Sequence, residues 1–218
     1  MDISQYKVTA KEVFLFEIRS FLGRNLARKK PILFENSNYL NLGCADSIKK
    51  GYVNADFYPS FKLWKKTQLQ WKLDLRYPLQ CPENLFDGIF TEHTLEHLYP
   101  DEVKELLSEL YRILKPNAII RITVPDLRKY VDYYTHNLSE SLTQTFDARF
   151  NSECHAIQTL TQNYHHHSLW DFEEMQSALK ECGFRDIVEM THGNSNDPKL
   201  ALDRHERSWE TLYIEAKK

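Results

Sequence analysis

The amino-acid sequence predicts an α/β fold in which helices cover a mostly parallel β-sheet. Short apolar runs alternate along the chain with longer segments of helical periodicity, and this alternation is typical of parallel sheets. Two of the runs, 39–42 and 52–55, are separated only by a polar turn. A third run, 118–124, has the β-branched and apolar composition of a strand that is buried on both faces.

The N-terminal segment, residues 1–30, is expected to form an amphipathic helix. Within 8–28, apolar side chains recur at helical spacing, and most basic side chains lie elsewhere on the helix. This pattern predicts that the helix packs across the domain through one apolar face, which consists of Phe14, Ile18, Phe21 and Leu22. The excess of basic residues in 8–28 also allows peripheral contact with a membrane surface.

The central elements are a short strand at 71–75, a strand at 86–90, a helix and the strand at 118–124. Pro100 suits the first turn of the helix, and Lys115-Pro116 ends it. Residues 126–168 show no clear period. We interpret them as an insertion on the acceptor side of the same domain.

The C-terminal part predicts one helix and two strands. Asp171, with Glu174 three residues later, forms a helix-capping pattern, and Gly183 ends that helix. Residues 184–190 and 211–216 have strand composition. The polar segment 191–210 between them is long for a loop in a compact domain, which favours a functional role.

Composition limits the classes of protein that fit. The 218 residues suit a single domain, residues 1–218, and no apolar stretch is long enough to span a membrane. The four cysteines are scattered without a C-x-x-C pair, which predicts neither disulfides nor a zinc ribbon. The N-terminus lacks a secretory pattern, so we expect a cytoplasmic protein. A net charge of −3 gives no reason to expect nucleic-acid binding, although the segment 61–72 interleaves bases with aromatics.

Acidic residues follow three predicted strands, namely Asp56, Asp74 and Glu92. Ligands of open α/β sheets lie beyond the carboxyl ends of the strands, where a carboxylate can accept both hydroxyls of a ribose. Gly43 follows the first strand, where a residue without Cβ permits close approach. The turn lacks the later glycines of a dinucleotide site, and Asp46 disfavours a phosphate. The pattern therefore predicts a nucleoside cofactor that carries no phosphate, and a cationic group would suit the position near Asp46.

The ordered series LNLGCAD…GYVNADF, LDLRYPL and LFDGIFTEHTLEHLYPDEVKELLSELYRILKPNAIIRITVPDL resembles the small class I S-adenosylmethionine-dependent methyltransferases, a type often associated with glycan and lipid biosynthesis. The likeness covers 39–218, with weak likeness at 135–164. It implies a Rossmann-like, seven-stranded, mostly parallel sheet with helices on both faces and an antiparallel final strand. It also implies S-adenosylmethionine as cofactor and a small-molecule or glycan-type acceptor.

The resemblance implies roles for individual residues. The methionine moiety would be lined by Leu42, Gly43, Cys44 and Ala45. Asp56 would hold the ribose, Phe57 would flank the adenine, and Asp74 and Leu75 would meet the adenine edge. The sulfonium and the acceptor would face Thr91, Glu92 and His93. Two turns depart from the family, which commonly has G-C-G where Ala45 stands and P-G-G where Pro116-Asn117-Ala118 stands; Ala45 weakens cofactor binding only if its φ must be positive.

The histidines permit two interpretations. His93 is a candidate general base or a residue that shapes the pocket, and Asp126 is a second candidate base or a turn residue. His93 to His97 also matches the H-x-x-E-H pattern of inverted zinc peptidases, but it directly follows a strand, so we expect Glu96 and His97 to cap and pack a turn.

Three consecutive histidines, 165–167, cannot all bind one ion if they lie on a strand, and we predict no metal site. His167 with Asp171, and Tyr130, are the candidate acceptor contacts. The function predicted is methyl transfer to an oxygen or nitrogen. A catalytically silent protein on the same fold and, less favoured, a zinc hydrolase are the alternatives.

Overall fold

The computed structural model describes residues 9–27, 30–35, 38–58, 68–162 and 165–218. Most of the basic and aromatic segment 61–72, for which nucleic-acid contact was considered, lies outside the described residues, as do the two ends of the predicted amphipathic stretch 8–28.

Within the described residues, seven strands form one sheet in the order β3–β2–β1–β4–β5–β7–β6. Their bounds are β1 Tyr39–Leu42, β2 Tyr52–Asp56, β3 Trp71–Lys72, β4 Phe86–Glu92, β5 Leu114–Pro125, β6 Arg185–Met190 and β7 Thr211–Lys217. The first five strands are parallel neighbours, and β7 runs antiparallel between β5 and β6. This is the Rossmann-like sheet with an antiparallel final strand that the family resemblance implies.

Six α-helices accompany the sheet in the described part of the chain: α1 Ala10–Leu26, α2 Pro100–Ile113, α3 Leu127–Tyr134, α4 Glu140–Asp147, α5 Glu153–Gln162 and α6 Phe172–Glu181. Leu95–His97 forms a single turn of 3-10 helix directly after β4. As predicted, Pro100 starts α2, the Asp171 side chain caps α6 by accepting the amide proton of Glu174, and Gly183 follows α6 with a positive φ of 95°.

The predicted packing face of α1 is wrong for two of its four residues, since Ile18 and Leu22 are half-buried but Phe14 and Phe21 are not. Phe14 and Phe21 are 64% and 60% exposed, whereas the buried residues of the helix are Ser20 and Gly23. A Cβ at Gly23 would lie 2.3 Å from the Tyr58 ring, so the helix approaches the sheet through its small residues. Sequence periodicity favoured large apolar side chains and missed this contact. Membrane contact by the exposed side of α1 stays a prediction, and none of the described helices has the length and apolarity needed to cross a bilayer.

The segment 126–168, which had no sequence-based assignment, contains α3, α4 and α5. These helices share a small aromatic core apart from the main one, made of Tyr130, Tyr133, Phe146, Phe150, Ala156 and Leu160. Trp209, from the long loop before β7, packs on this core. The segment is therefore a packed helical addition beyond the carboxyl end of β5.

Candidate active site

A cavity of about 400 Å³ opens at the carboxyl ends of β1, β2 and β4, where the strand order reverses between β1 and β4. It lies where the sequence predicts a ligand. Its walls are formed by Phe16, Gly43, Ala45, Asp56, Phe57, Leu73, Asp74, Leu75, Arg76, His93, Thr94, His97, Leu98, Tyr99, Glu102 and His167.

The turn after β1 brings the backbone to the cavity wall. Gly43 has a φ of 66°, and a Cβ placed there would lie only 2.1 Å from the Thr94 hydroxyl oxygen. Ala45 also has a positive φ, 44°, so it occupies a conformation that costs an L-residue about 1–2 kcal/mol. The alanine that replaces the second glycine of the family pattern is therefore strained. Residues 43–51, all described, contain no helix.

Asp56 lies at the end of β2 with its carboxylate on the cavity. One oxygen accepts the Ala45 amide proton at 2.5 Å, and the other accepts the Phe57 amide proton at 2.6 Å. Burial raises the pKa of Asp56, and these two amides oppose the rise. Each carboxylate oxygen has two acceptor directions, so the two amides leave acceptor capacity for hydroxyl groups of a ligand.

Asp74, in the loop after β3, is almost fully engaged within the protein. Its oxygens accept protons from the amide, Nε and Nη2 of Arg76 and from the hydroxyl of Ser20 in α1. Burial alone would raise the pKa of Asp74, but the hydrogen bonds from Arg76 and Ser20 lower it overall. Asp74 lines the cavity as predicted, but its carboxylate mainly holds α1 and Arg76 in place.

Aromatic and apolar groups form the wall beside Asp56. Phe57 stacks on Phe16 of α1 with ring centroids 4.3 Å apart and an interplanar angle of 11°. Leu75 lines the same side. Phe57 and Leu75 thus give the cavity an apolar wall, and Phe16 of α1 supplies a lining residue that sequence reasoning missed.

His93, at the end of β4, lines the cavity with φ at 48°. The Thr211 hydroxyl donates to the Arg207 carbonyl at 2.6 Å, so His93 Nε2 must be the donor in its 2.9 Å contact with Thr211. Nδ1 is then the acceptor and lies 3.3 Å from Arg207 Nη1. Burial, with Arg207 next, lowers the pKa of His93 to about 4. Both nitrogens are engaged and the ring is neutral, which favours a pocket-shaping role over a general base.

Four other residues of the expected cofactor set do not reach the cavity. Leu42 and Thr91 are fully buried in the sheet, and Cys44 is buried beside the turn, where burial raises its pKa to about 12. The Glu92 carboxylate binds the Arg204 backbone amide at 2.8 Å and its Nε at 2.6 Å. Glu92 therefore holds the 191–210 loop on the sheet, because alternation along β4 directs its side chain away from the cavity.

Of the residues predicted to contact the acceptor or to act as its base, some line the cavity and others do not. His167 lines the cavity and stacks on Tyr99 at 4.5 Å. Asp126 caps α3 by accepting the Arg128 amide proton, and burial raises its pKa. The Tyr130 hydroxyl donates to Glu210 from within the aromatic core. Three of the candidates have structural roles and do not line the cavity: Asp126 and Asp171 cap helices, and Tyr130 packs in the aromatic core.

The H-x-x-E-H pattern does not form a zincin site. His93 precedes the single 3-10 turn Leu95–His97, and its ring is directed toward Thr211, whereas His97 is exposed and lines the cavity. A zincin motif requires both imidazoles on one face of a helix. Sequence reasoning missed other cavity residues, among them Tyr99, Glu102 and Arg76. These side chains are exposed or paired with polar groups, so no pattern of apolar spacing marks them in the sequence.

Comparison with known families agrees with this geometry. Residues 47–122, from the turn before β2 into β5, match the model of the methyltransferase domain family. This match supports a methyltransferase domain and covers about a third of the chain. None of the curated proteins matches the sequence significantly.

Solved structures share the fold of this methyltransferase at low sequence identity. A SAM-dependent methyltransferase from Archaeoglobus fulgidus is similar at 19% identity and a TM-score of 0.51, over 94% of this chain and 99% of that one. The DszA carbon methyltransferase (16% identity, TM-score 0.50) and the S-adenosylmethionine-dependent methyltransferase SibL (13%, 0.50) are similar over 98% and 97% of this chain. This chain spans 56% and 60% of those two proteins.

Proposed function

We propose that this methyltransferase transfers a methyl group from S-adenosylmethionine to an oxygen or nitrogen of a small-molecule or glycan-type acceptor. The observation that carries the proposal is the cavity at the strand-order reversal, which has the Gly43 turn on one side and the Asp56 carboxylate at its edge. In the reaction, the carbon–sulfur bond of the sulfonium breaks as the acceptor–methyl bond forms, and the electron pair stays on sulfur.

The cavity residues fit such a cofactor. At Gly43 the absence of a Cβ keeps the turn pressed against Thr94 and the cavity open. Asp56 has acceptor capacity for the ribose hydroxyls, and Phe57 and Leu75 offer an apolar wall to the adenine. No phosphate-binding group is needed, in keeping with the absence of a helix in the turn 43–51.

We assign the chain's own part in the reaction to positioning and to exclusion of water. Neutral His93 places no positive charge beside the sulfonium, because its pKa of about 4 leaves the ring uncharged at neutral pH. Both of its nitrogens are held by Thr211 and Arg207, so the ring is a fixed wall. The proton of the acceptor then leaves to water or to a group on the acceptor side.

The acceptor side supports a polar molecule with a flat or ring-shaped face. The stacked pair Tyr99 and His167 forms an aromatic rim, and Tyr99 is 54% exposed. Glu102 adds a carboxylate to this side of the cavity. Aromatic rings beside polar groups suit the apolar face of a sugar and its hydroxyls, and this favours a glycan-type acceptor.

Calorimetric titration with S-adenosylhomocysteine tests cofactor binding without knowledge of the acceptor. We expect saturable binding to the wild-type chain and loss of measurable binding in Gly43→Ala, because the new Cβ overlaps Thr94. Gly51→Ala is the matched control, since Gly51 also has a positive φ, 84°, but nothing within 4 Å of an added Cβ. It should lose some stability and keep its affinity.

Absence of heat with wild-type protein at millimolar ligand would overturn the proposal in favour of a catalytically silent protein. Binding by Gly43→Ala equal to that of Gly51→Ala would remove the turn from the site. Mass spectrometry of small molecules that co-purify with the protein, followed by transfer of a labelled methyl group to each, then tests the glycan-type acceptor.

A further inference from the structure

Three side chains with metal-binding chemistry meet at one point, and one of them, His97, lines the cavity. Glu96 and His97 belong to the 3-10 turn after β4, and His166 comes from the segment between α5 and α6. One carboxylate oxygen and one nitrogen of each ring all lie within 4.8 Å of one another. We propose that Glu96, His97 and His166 bind a divalent transition-metal ion of the zinc type.

Glu96 is the observation that points to a ligand. The residue is 1% exposed, and neither of its carboxylate oxygens has a hydrogen-bond partner among the described residues. Buried polar groups in folded proteins are nearly always paired, because an unpaired one loses its hydration without compensation. A cation shared with the two imidazoles would supply the missing partner.

A neighbouring histidine, His93, does not satisfy this carboxylate. His93 Nδ1 lies 3.2 Å from Glu96 Oε1. Because Nε2 of His93 carries the proton donated to Thr211, Nδ1 is an acceptor and offers no proton to an ionised Glu96 carboxylate across this contact. The local network therefore leaves Glu96 in need of a positive partner, and His93 is not that partner.

The two chain segments that supply the ligands are held together by their backbones. The Glu96 carbonyl accepts the amide protons of His167 at 2.7 Å and Ser168 at 3.2 Å. The Ser168 hydroxyl in turn donates to the Leu95 carbonyl and accepts from the Trp170 indole. The distance between the carboxylate and the His166 ring is thus fixed by main-chain contacts, as expected of a preformed site.

His166 has the orientation of a metal ligand. Its Nδ1 lies 2.7 Å from the Leu160 carbonyl oxygen, and a carbonyl can only accept, so Nδ1 carries the proton. The acceptor nitrogen of the ring is therefore Nε2. Metal-bound histidines in proteins characteristically donate their second nitrogen to a carbonyl or carboxylate in this way. The His97 and His166 rings are 5.1 Å apart, edge to face.

The donor set selects the class of ion. Two imidazoles and one carboxylate suit zinc, cobalt or iron, whereas magnesium and calcium prefer a shell of oxygens. Three protein ligands also leave one coordination position for water or another small ligand. The H-x-x-E-H pattern in the sequence pairs His93 with His97 as metal ligands. In the folded chain the histidine that lies beside Glu96 and His97 in the proposed site is His166. This inference does not depend on the proposed methyl transfer.

The test is titration of the chelator-treated, full-length chain with Zn²⁺ by calorimetry, and with Co²⁺ by visible absorption. We expect one equivalent of Zn²⁺ to bind, a tetrahedral or five-coordinate Co²⁺ spectrum and a rise in melting temperature with Zn²⁺. The variants His97→Gln and His166→Gln each remove one ligand. Since loss of a second-shell partner alone weakens metal binding about 10- to 100-fold, each should weaken it by at least about 100-fold.

His192→Gln is the matched control, because His192 and His205 form a second edge-to-face pair, 5.5 Å apart, that belongs to no such cluster within the described part of the chain. It should bind Zn²⁺ like the wild type. Glu96→Gln should lose Zn²⁺ while the metal-free variant melts no lower than the metal-free wild type. The inference is overturned if the wild type binds no stoichiometric Zn²⁺, if both histidine variants retain binding, or if His192→Gln abolishes it. Should Glu96→Gln fail to fold, the two histidine variants alone decide.

Discussion

Asp56 and Asp74 follow neighbouring strands at the same edge of the sheet, and both line the same cavity, yet their surroundings differ. Asp56 accepts two backbone amide protons, one on each oxygen. Asp74 accepts four protons, three from Arg76 and one from Ser20, which fills the acceptor capacity of a carboxylate. One acid is available to a ligand, and the other is part of the scaffold.

The pKa shifts of the two acids follow this division. Burial raises the pKa of Asp56, whereas the hydrogen bonds of Asp74 overcome the effect of burial and lower its pKa. A carboxylate at a strand end is therefore not a binding group by position alone. Its partners within the fold decide whether it holds a ligand or holds the protein together.

The largest expected effect separates the two acids by ligand affinity. Asp56→Asn should lower the affinity for S-adenosylhomocysteine about 10- to 100-fold, because charge-assisted hydrogen bonds to the ribose are lost. Asp74→Asn should lower it by less than about threefold, since no acceptor capacity faces the ligand. Calorimetric titration measures both.

The matched control for this pair is Asp186→Asn, an exposed acid at the start of β6 whose contacts are with Arg185 and Lys217. Its affinity should equal that of the wild type. Equal losses of affinity in Asp56→Asn and Asp74→Asn would contradict the division between binding and scaffold.

The second effect separates the acids by stability. Asp74→Asn should lower the free energy of unfolding by about 2–3 kcal/mol, because the Arg76 guanidinium loses its charged partner and Ser20 its charged acceptor. Ser20→Ala removes only one of the four donors and should cost about 1 kcal/mol. Urea unfolding gives both values, and a larger loss in Ser20→Ala than in Asp74→Asn would show that the ion pair is not what holds α1.

The third effect is a difference in pH dependence. The folded-state pKa of Asp74 is below its unfolded value, so its stabilisation is present above the unfolded pKa and is lost as pH falls through the folded one. Asp56 has the opposite sign: its raised pKa makes the folded state bind the proton more tightly, and this contribution is lost as pH rises through the folded value. Urea midpoints measured from pH 3 to pH 7 should therefore rise less steeply in Asp74→Asn and more steeply in Asp56→Asn than in the wild type. Slopes that change in the same direction would contradict the comparison.

Sequence patterns predicted the sheet well, because buried strands and helices carry apolar residues at regular spacing along the chain. The strands β1, β2, β4 and β5, helix α2 and the Asp171 cap of α6 all follow from apolar spacing and capping residues. The turn that ends β1 and the acid that ends β2 pointed to Gly43 and Asp56 as cavity residues, whereas Phe57 was implied only by the family resemblance.

The rest depended on contacts that sequence does not show. The choice between Asp56 and Asp74 is decided by Ser20 and Arg76, and nothing in the sequence marks Ser20 as a partner, since it lies 54 residues from Asp74. The packing side of α1 is made by small residues, which leave no apolar periodicity. The helices of 126–162 are stabilised by an aromatic cluster that is completed by Trp209 from a distant loop.

The smallest effect concerns Ala45, whose amide proton is one of the two held by Asp56. Ala45→Gly should raise the free energy of unfolding by about 0.5–1 kcal/mol, because relief of the positive φ exceeds the entropy that glycine adds to the unfolded chain. Asn117→Gly is the control, since Asn117 also has a positive φ, 64°, but asparagine tolerates that region, so its stability should hardly change. Affinity for S-adenosylhomocysteine should be kept or slightly raised in Ala45→Gly, as the donor to Asp56 stays in place. A loss of affinity in this variant would mean that the strained alanine itself orients Asp56 for the ligand.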